Sequence, residues 1–325
     1  MAETVTILGV GDIMLGSTYP DSRDMPPGDG KNLLTAVAPI LRTGDVTFGN
    51  LEGPLTEGGV TGKSGKNSYA FRCPPRYGKY LKDAGFDVFS VANNHANDFG
   101  QRGRNSTIRT LEALGIKHAG ATKTDVAYLN VRGKRIAFVA FAHNPVSLNV
   151  NNIAPAQAAV RQAAKSADIV VVSFHGGAEG AAYQNVPHGT ESYFGEARGD
   201  LRRFTHAVID AGADLVLGHG PHVVRGMEMY KGRLIAYSLG NFATYGKFSL
   251  RGPTALSLIL QVQLATDGAD RGKFLGGQIY PVLQIGKGIP KPDGKKQVIK
   301  VIRSLSAKDF GKSAAQVSPD GTIRA

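Results

Sequence analysis

The feature that most constrains the fold is a regular alternation of short apolar runs and helix-like segments along most of the chain. The first apolar run is TVTILGV (residues 4–10), and NLLTAVAPILRTG (32–44) follows it as a predicted helix that ends at a glycine. Short apolar runs bounded by turn residues are typical of buried strands, and glycine commonly follows the end of a helix. Strands that alternate with helices favour an α/β fold with largely parallel strands.

The same alternation continues to about residue 240. The further predicted strands are DVTFGN (45–50), FDVFSVA (86–92), RIAFVAFA (135–142), IVVVSF (169–174), DLVLG (214–218) and RLIAYSLG (233–240). The further predicted helices are RYGKYLKDAG (76–85), NSTIRTLEALG (105–115), APAQAAVRQAAKSAD (154–168) and GDLRRFTHAVIDAG (199–212). Asn105 or Ser106 is expected to cap the helix over 105–115, with Gly115 after its end.

The pattern changes after Pro253. Strands are predicted at TALSLILQVQLA (254–265), FLGGQIYPVLQI (274–285) and KQVIKVIRSLS (296–306), with SAKDF as a short helix. The 325 residues, 42% of them hydrophobic, are enough for a large core, and the sequence has neither an internal repeat nor a Pro/Ser-rich linker. We therefore expect one domain over 1–325, with its motifs in a core at about 4–250 and a strand-rich completion at 251–325.

Composition excludes several classes of protein. The longest apolar stretches, IAFVAFA and ALSLILQVQL, are far shorter than the ~20 residues of a membrane-spanning helix. Cys73 is the one cysteine, which excludes an intrachain disulfide and a CxxC site. The net charge of +12 comes without an Arg-rich helix, an RNP-like strand or a zinc finger, so nucleic acid is not an expected partner. The charge is either a solvated basic surface or an attraction for an acidic substrate or polymer.

Polar side chains cluster where the predicted strands end. They are Asp12, Asn50, Glu52, Asn93, Asn94, His95, Asp98, His175, His219, His222 and Asn241. In open α/β sheets, ligands bind outside the carboxyl ends of the strands. A single histidine in such a place is more often a packed residue, and Asp12 alone could cap a turn. As a group, the buried carboxylates need a cation, and carboxylate, carboxamide and imidazole together suit Mn, Fe or Zn.

Nucleotide binding is the competing interpretation of the first strand end. GVGDIMLG (9–16) has GxG after a strand, but four residues separate it from Gly16, and STYPDSRDMPPGDG (17–30) cannot begin a helix. A dinucleotide site needs that helix N-terminus for its phosphates. The segment therefore does not fit a nucleotide site.

Seven stretches form a specific combination: GDIMLG, NLEGPLT, FRCPP, SVANNHANDFG, SFHGGAE, DAGADLVLGHGPHVVRGMEMYKGR and IAYSLGNF, over about residues 5–245. In this order they resemble the CapA family, which is named for poly-γ-glutamate capsule synthesis and is a branch of the calcineurin-like metallophosphoesterase superfamily. The resemblance implies a four-layer α/β/β/α sandwich, with two sheets between layers of helices and a metal centre at one edge.

The resemblance also implies one or two divalent ions, of Mn, Zn or Fe. One ion would bind Asp12, Glu52 and His222, and the other would bind Glu52, Asn94, His175 and His219. Two ions ~3.5–4 Å apart would lower the pKa of a water between them. His95 would donate a proton to the leaving group and Asp98 would orient it.

The remaining site residues are expected around the ligands. Asn50 and Asn241 would support the ligands from behind. Arg225, Arg72 and Tyr183 are candidate contacts for an anionic substrate, because arginine binds carboxylates with two hydrogen bonds. Surface ion pairs are the alternative for the arginines.

Two positions differ from the superfamily pattern. The superfamily commonly has Asp-x-His at its first motif, and Met14 stands in place of that histidine. The superfamily also has an Asp that bridges the two ions, and Glu52 stands in its place. The first ion therefore loses a ligand, which leaves a dinuclear, a mononuclear and a catalytically idle centre open.

Three functions follow from these features. The first is a metal-dependent hydrolase that cleaves an amide or ester bond in poly-γ-glutamate or another acidic polymer or peptide of the cell envelope. The second is a phosphoesterase, and the third is a non-catalytic binding or assembly factor for polymer synthesis and export, which the loss of the histidine favours. Export after removal of a signal peptide is expected from the family's association with the envelope, although MAETVTILGVGD would also suit a cytoplasmic protein.

Overall fold

The computed structural model describes residues 3–63 and 69–324 of the chain. The α-helices are α1 (Ala38–Leu41), α2 (Gly78–Ala84), α3 (Gly100–Ala113), α4 (Ile153–Ala164), α5 (Leu201–Asp210) and α6 (Gln297–Phe310). The strands are β1 (Thr4–Met14), β2 (Val46–Leu51), β3 (Val88–Ser90), β4 (Lys117–Ala119), β5 (Val126–Val131), β6 (Lys134–Ala142), β7 (Leu148–Asn149), β8 (Ile169–His175), β9 (Glu191–Tyr193), β10 (Glu196–Gly199), β11 (Leu215–His219), β12 (Met227–Tyr230), β13 (Arg233–Ala236), β14 (Asn241–Thr244), β15 (Leu256–Ala265), β16 (Phe274–Ile285), β17 (Ile289–Pro292), β18 (Gln316–Val317) and β19 (Thr322–Arg324).

Two large sheets contain most of these strands. The first runs in the order β18-β19-β16-β15-β1-β2-β3-β4, with β14 beside β1 and β17 beside β16. The second runs β12-β13-β11-β8-β6-β5, with β7 beside β6. Strands β1 to β4 pair in parallel, as do β6, β8, β11 and β13, whereas β15 and β16 pair antiparallel. The largely parallel α/β core predicted from the sequence is confirmed.

The two sheets pack face to face. Ile7 and Phe48 of the first sheet lie in the same buried cluster as Phe138, Val171 and Leu217 of the second. The rings of Phe48 and Phe138 stack with their centroids 5.5 Å apart. Because burying one such side chain contributes about 1.5–3 kcal/mol, this interface holds the sheets together.

Helices cover the outer face of each sheet. Outside the first sheet, one buried cluster joins the strands to the helices α1, α2 and α3 through Leu8, Phe89, Leu41, Leu81 and Leu111. Outside the second, another cluster joins the strands to α4 and α5 through Val139, Val172, Val160, Phe204 and Val208. The order of layers is helices, sheet, sheet, helices, which confirms the predicted four-layer α/β/β/α sandwich.

The strand predicted over 296–306 is wrong, because this segment is helix α6. Its buried residues are Val298, Ile299, Ile302, Ser306 and Phe310, and all except Ile299 are spaced four positions apart. That spacing places them on one helical face, and three of them join the cluster between the sheets. The β-branched composition favoured a strand, but the period of burial decides the structure.

Two predicted helix boundaries are also wrong. The helix expected over 32–44 is only α1, because Pro39 fits the first turn of a helix and blocks its extension towards the N-terminus. Helix α3 begins at Gly100, so Asn105 and Ser106 lie inside it and cap nothing. A Cβ on Gly103 would lie 3.1 Å from that of Phe99, so the first turn of this helix packs closely on the residue before it.

The predicted site residues follow strands at one end of the sandwich. Strands β1, β2 and β3 of the first sheet and β8 and β11 of the second run in parallel within their sheets. Their carboxyl ends carry the polar segments, so the topology brings these segments together. Across residues 3–63 and 69–324, none of the helices is long and apolar enough to cross a membrane.

Candidate metal centre

Asp12 is held at the edge of the first sheet by a close approach of two backbones. A Cβ on Gly11 would lie 1.9 Å from the carbonyl oxygen of Gly240, so only glycine fits beside this strand. The Asp12 N–H donates to the same carbonyl over 2.8 Å. The pairing of β1 with β2 shifts register between Gly9 and Asp12. This bulge fixes the position of the buried Asp12 carboxylate.

Glu52 lies at the centre of the site, directly after β2. Its side chain is fully buried, and neither carboxylate oxygen has a hydrogen-bond partner among the described residues. Three imidazole nitrogens approach its Oε1: Nε2 of His222 at 3.6 Å, Nε2 of His175 at 3.9 Å and Nε2 of His95 at 4.0 Å. Burial raises the pKa of Glu52 well above its usual value, although the charge of His222 opposes the rise.

His175 and His219 end the neighbouring strands β8 and β11, where they pair directly in register. Within the described ranges, Nε2 of His175 and both ring nitrogens of His219 accept or donate no hydrogen bond. Nδ1 of His219 lies 3.5 Å from Oδ1 of Asp12. Burial lowers the pKa of His175 well below its usual value. The ring of His175 is therefore suited to bind a cation as a neutral ligand.

His222 connects Asp12 to Glu52. Its backbone is left-handed, with φ +57, which turns the ring back into the site. Nδ1 lies 3.1 Å from Oδ2 of Asp12 and 3.1 Å from Oδ1 of Asn241, while Nε2 faces Glu52. Burial would lower the pKa of His222, but the charges of Glu52 and Asp12 outweigh it and raise the pKa to about 10. Burial would likewise raise the pKa of Asp12, but the neighbouring imidazoles of His219 and His222 hold that pKa well below its usual value.

The unpartnered buried atoms of the predicted ligands fit a divalent cation. Within residues 3–63 and 69–324, the buried ligand atoms without a hydrogen bond are Glu52 Oε1 and Oε2, Asn94 Oδ1, His175 Nε2 and both nitrogens of His219. Leaving such atoms unsatisfied is costly unless a bound group compensates. Asp12, Glu52 and His222 each offer one ligand atom, and these three atoms lie within 4.8 Å of one another. A mixed oxygen and nitrogen set of this kind suits Mn, Fe or Zn, and metal binding by the six residues stays a prediction.

His95 lies on the loop after β3, beside Glu52. Its Nδ1 lies 2.8 Å from Oδ2 of Asp98, and that oxygen also accepts the N–H of Phe71 over 2.7 Å. The ring of Phe71 stacks on the imidazole at 3.8 Å. Burial lowers the pKa of His95, and the nearby charge of Asp98 opposes the shift. Asp98 therefore fixes one edge of the ring and leaves Nε2 directed towards Glu52.

Asparagines support the ligands from behind. Asn50 donates to Oδ1 of Asp12 over 2.8 Å, and its Nδ2 lies 3.3 Å from Nδ1 of His175. Asn93 donates to Oδ1 of Asn50 over 3.1 Å and to the carbonyl of Leu51 over 2.8 Å. These bonds hold the buried carboxylate and imidazole in fixed orientations. Asn50 and Asn241 thus lie where the sequence predicted supporting residues.

The structure contradicts the substrate contact predicted for Arg225. The side chain is fully buried, and its guanidinium donates to both carboxylate oxygens of Glu191 over 2.8 Å. Nε donates to the carbonyl of Tyr183 over 2.8 Å. All of these donors face protein groups, so Arg225 fastens the loop after β8 instead of binding a substrate. Its ion pair is buried, so the surface alternative is wrong as well.

Arg72 and Tyr183 differ from each other. Arg72 donates to the hydroxyl and the carbonyl of Thr18 over 3.0 Å and lies over the rings of Tyr19 and Phe99. These contacts hold Arg72 against the loop after β1, and a substrate contact for Arg72 stays a prediction. Tyr183 is 42% exposed, and its ring meets that of Tyr193 edge to face. A substrate contact for Tyr183 stays a prediction.

Three residues at the site were not predicted. Oε2 of Glu179 lies 3.9 Å from Nε2 of His222, His143 packs beside His175, and Nζ of Lys63 lies 2.5 Å from Oδ1 of Asp98. His143 directly follows the apolar run at 135–142, so the rule that found the other histidines also applies to it. Glu179 ends the motif SFHGGAE, whereas the sequence carries no comparable signal for Lys63.

Comparisons with known proteins identify the family of the chain. The family described as "Bacterial capsule synthesis protein PGA_cap" matches residues 6–245. The PGA biosynthesis protein CapA of Bacillus subtilis (strain 168) is 31% identical, over 91% of this chain and 76% of that protein. The capsule biosynthesis protein CapA of Bacillus anthracis is 31% identical, over 99% of this chain and 77% of that protein. A "Probable polyglutamine synthesis accessory protein" of Mycobacterium tuberculosis is 27% identical, over 61% of this chain and 55% of that protein.

Solved structures are more distant. A hypothetical protein from Thermus thermophilus has a TM-score of 0.48 at 17% identity, over 85% of this chain and 98% of that chain. The purple acid phosphatase PPD1 from yellow lupin has a TM-score of 0.41 at 8% identity, over 91% of this chain and 55% of that chain. The family match spans most of the chain, and two relatives are 31% identical to it over the aligned residues. The chain therefore belongs to the bacterial capsule synthesis protein family that includes CapA.

Proposed function

We propose that the chain is a metal-dependent hydrolase that cleaves an amide or ester bond in poly-γ-glutamate or another acidic polymer or peptide of the cell envelope. One observation carries the proposal: three imidazole Nε2 atoms lie within 4.0 Å of a single buried oxygen of Glu52. Membership of the capsule synthesis family supports the polymer as substrate class. The net charge of +12 supports an acidic substrate, because a basic protein attracts polyanions.

The residues divide into a binding group and a proton donor. Asp12, Glu52, Asn94, His175, His219 and His222 would hold the divalent ion or ions. Such an ion supplies Lewis acidity and an activated water. In a buried site, the charges of Asp12 and Glu52 act at short range without screening by solvent, which strengthens their hold on a cation.

His95 is the residue that would move a proton. Asp98 holds Nδ1, so Nε2 is the atom left to face a substrate. The stacked ring of Phe71 keeps the imidazole in this orientation. Because burial lowers its pKa, protonated His95 gives up its proton readily to a departing amine or alkoxide. The proposal places this reaction in the cell envelope, after export of the protein.

The experiment is an activity assay of the protein loaded with Mn²⁺ or Zn²⁺. γ-Glutamyl oligomers, peptidoglycan fragments and phosphate mono- and diesters are incubated with it, and products are identified by mass spectrometry. We expect cleavage of an acidic peptide or polymer, reduced about 10²–10⁴-fold in His95→Gln with unchanged metal content. If the loaded protein leaves γ-glutamyl and peptidoglycan substrates intact, the proposal is wrong. If it cleaves phosphate esters alone, the protein is a phosphoesterase instead.

A second candidate is a non-catalytic accessory factor in polymer synthesis. Met14 favours it, because this buried side chain stands where the superfamily has a histidine and its sulfur accepts the N–H of Gly16. The name of the mycobacterial relative, which includes "accessory protein", points the same way. This function predicts that His95→Ala preserves polymer production in cells. Loss of production with a stably folded variant would exclude it.

A further inference from the structure

The carboxylate of Glu179 lies beside His222, although the sequence did not predict it as a ligand. Its Oε2 lies 3.9 Å from Nε2 of His222, and the side chain is 19% exposed. The same nitrogen lies 3.6 Å from Oε1 of Glu52. The other ring nitrogen, Nδ1, faces Asp12 and Asn241. Nε2 of His222 therefore points at two carboxylates, Glu52 and Glu179.

Met14 leaves this part of the centre short of a ligand. It is buried, and its sulfur accepts the backbone N–H of Gly16 over 3.3 Å. A thioether is also a soft ligand that matches the surrounding carboxylates and imidazoles poorly. An ion at Asp12, Glu52 and His222 needs a further donor from elsewhere in the chain.

The loop after β8 fixes Glu179 in place. Its Oε1 accepts from Nη1 of Arg198 over 2.7 Å, and Nη2 of Arg198 donates to Glu196 over 2.8 Å. The backbone on each side is tied down as well: the N–H of Gly177 donates to the carbonyl of Arg198, and that of Gly180 to the carbonyl of Pro221. Arg198 is only 3% exposed, so one oxygen of Glu179 is anchored inside the protein. The other oxygen, Oε2, points towards His222.

We propose that Glu179 is a further ligand of the ion held by Asp12, Glu52 and His222, and that it supplies the donor that Met14 cannot. Arg198 is its positioning residue. The proposal rests on the metal centre of the proposed function and specifies its chemistry. Three carboxylates and one imidazole form an oxygen-rich set, which favours Mn²⁺ over the thiolate-preferring metals.

The test is a titration of metal-free protein with Mn²⁺, in which free Mn²⁺ is counted by electron paramagnetic resonance. We expect Glu179→Gln to raise the Kd of one Mn²⁺ by about tenfold or more. Gln keeps an oxygen for Arg198 but removes the charge. Glu196→Gln is the matched control, because Glu196 binds the same guanidinium from an exposed position, and we expect its Kd to equal that of the parent. Adding Met14→His to Glu179→Gln should restore binding.

The outcomes separate this inference from the proposed function. Parent protein that binds no Mn²⁺ contradicts both. If the parent protein and Glu179→Gln bind Mn²⁺ with the same Kd, only the role of Glu179 is overturned. The same holds if Glu196→Gln loses as much Mn²⁺ affinity as Glu179→Gln. Circular dichroism of the metal-free variants checks that they fold. If Glu179→Gln does not fold, Glu179→Asp decides: it keeps the charge but withdraws the oxygen by one methylene, and an unchanged Kd contradicts the proposal.

Discussion

Nε2 of His222 lies 3.6 Å from Oε1 of Glu52, and among the described residues that oxygen accepts no hydrogen bond. The two side chains come from different sheets, since Glu52 follows β2 and His222 follows β11. Their approach thus joins the two halves of the sandwich at the site. Burying a charged carboxylate in this way is costly unless a cation or a protonated imidazole compensates its charge.

Glu52→Gln should separate the effect of the buried charge on fold stability from its effect on metal binding. Burial raises the pKa of Glu52, so the metal-free fold loses stability as the pH rises from the unfolded-state pKa of this carboxyl towards the raised one. We expect the metal-free variant to unfold at no lower temperature than the parent at pH 8. We also expect it to lose the stabilisation by Mn²⁺, about 2.7 kcal/mol at a concentration of 100 Kd. Equal stabilisation of both proteins in thermal unfolding experiments would contradict this prediction.

Metal binding should release protons from His222. Its pKa of about 10 means that the metal-free protein carries a proton on this ring at pH 8. That proton stabilises the metal-free fold fully below the unfolded pKa and ceases to do so as the pH rises through about 10. Because a ligand histidine must be neutral, Mn²⁺ affinity should rise with pH between 6 and 9. Calorimetry in buffers of different ionisation enthalpy counts the protons; a count of zero would refute the prediction.

Arg225→Ala should destabilise the fold strongly. The variant leaves the buried carboxylate of Glu191 without its charged partner, a change that typically costs about 3–5 kcal/mol. The double variant Arg225→Met/Glu191→Leu removes both charges, and its free energy of unfolding should fall less than that of Arg225→Ala. Arg76→Ala, at an exposed ion pair with Asp29, is the control and should cost below about 1 kcal/mol. Urea unfolding gives these values, and a mild loss in Arg225→Ala would show that solvent reaches Glu191.

Much of the centre was predictable because the chain marks strand ends clearly. Asp12, Glu52, His175 and His219 each follow an apolar run, and parallel pairing brings such positions to one edge. His143 obeys the same rule. Helix α6 was mispredicted because β-branched residues in a short apolar run suit both a strand and a buried helix, and only the sheets that it contacts decide between them.

Contacts between residues far apart in the chain could not be predicted from the sequence. The burial of Arg225 depends on Glu191, which lies 34 residues away, and the direction of Glu179 depends on Arg198, 19 residues away. An arginine or glutamate at such positions is most often exposed. Only the path of the loop after β8 shows that both arginines are enclosed.

The most direct test of the metal centre is the metal content of the purified protein, measured by elemental mass spectrometry beside His175→Ala and His118→Ala. His118 is a matched control, since it binds Asp125 at the far edge of the first sheet. We predict at least one equivalent of Mn, Fe or Zn in the parent and in His118→Ala, with a sharp fall in His175→Ala. No metal in the parent, even after reconstitution with all three ions, would contradict the account.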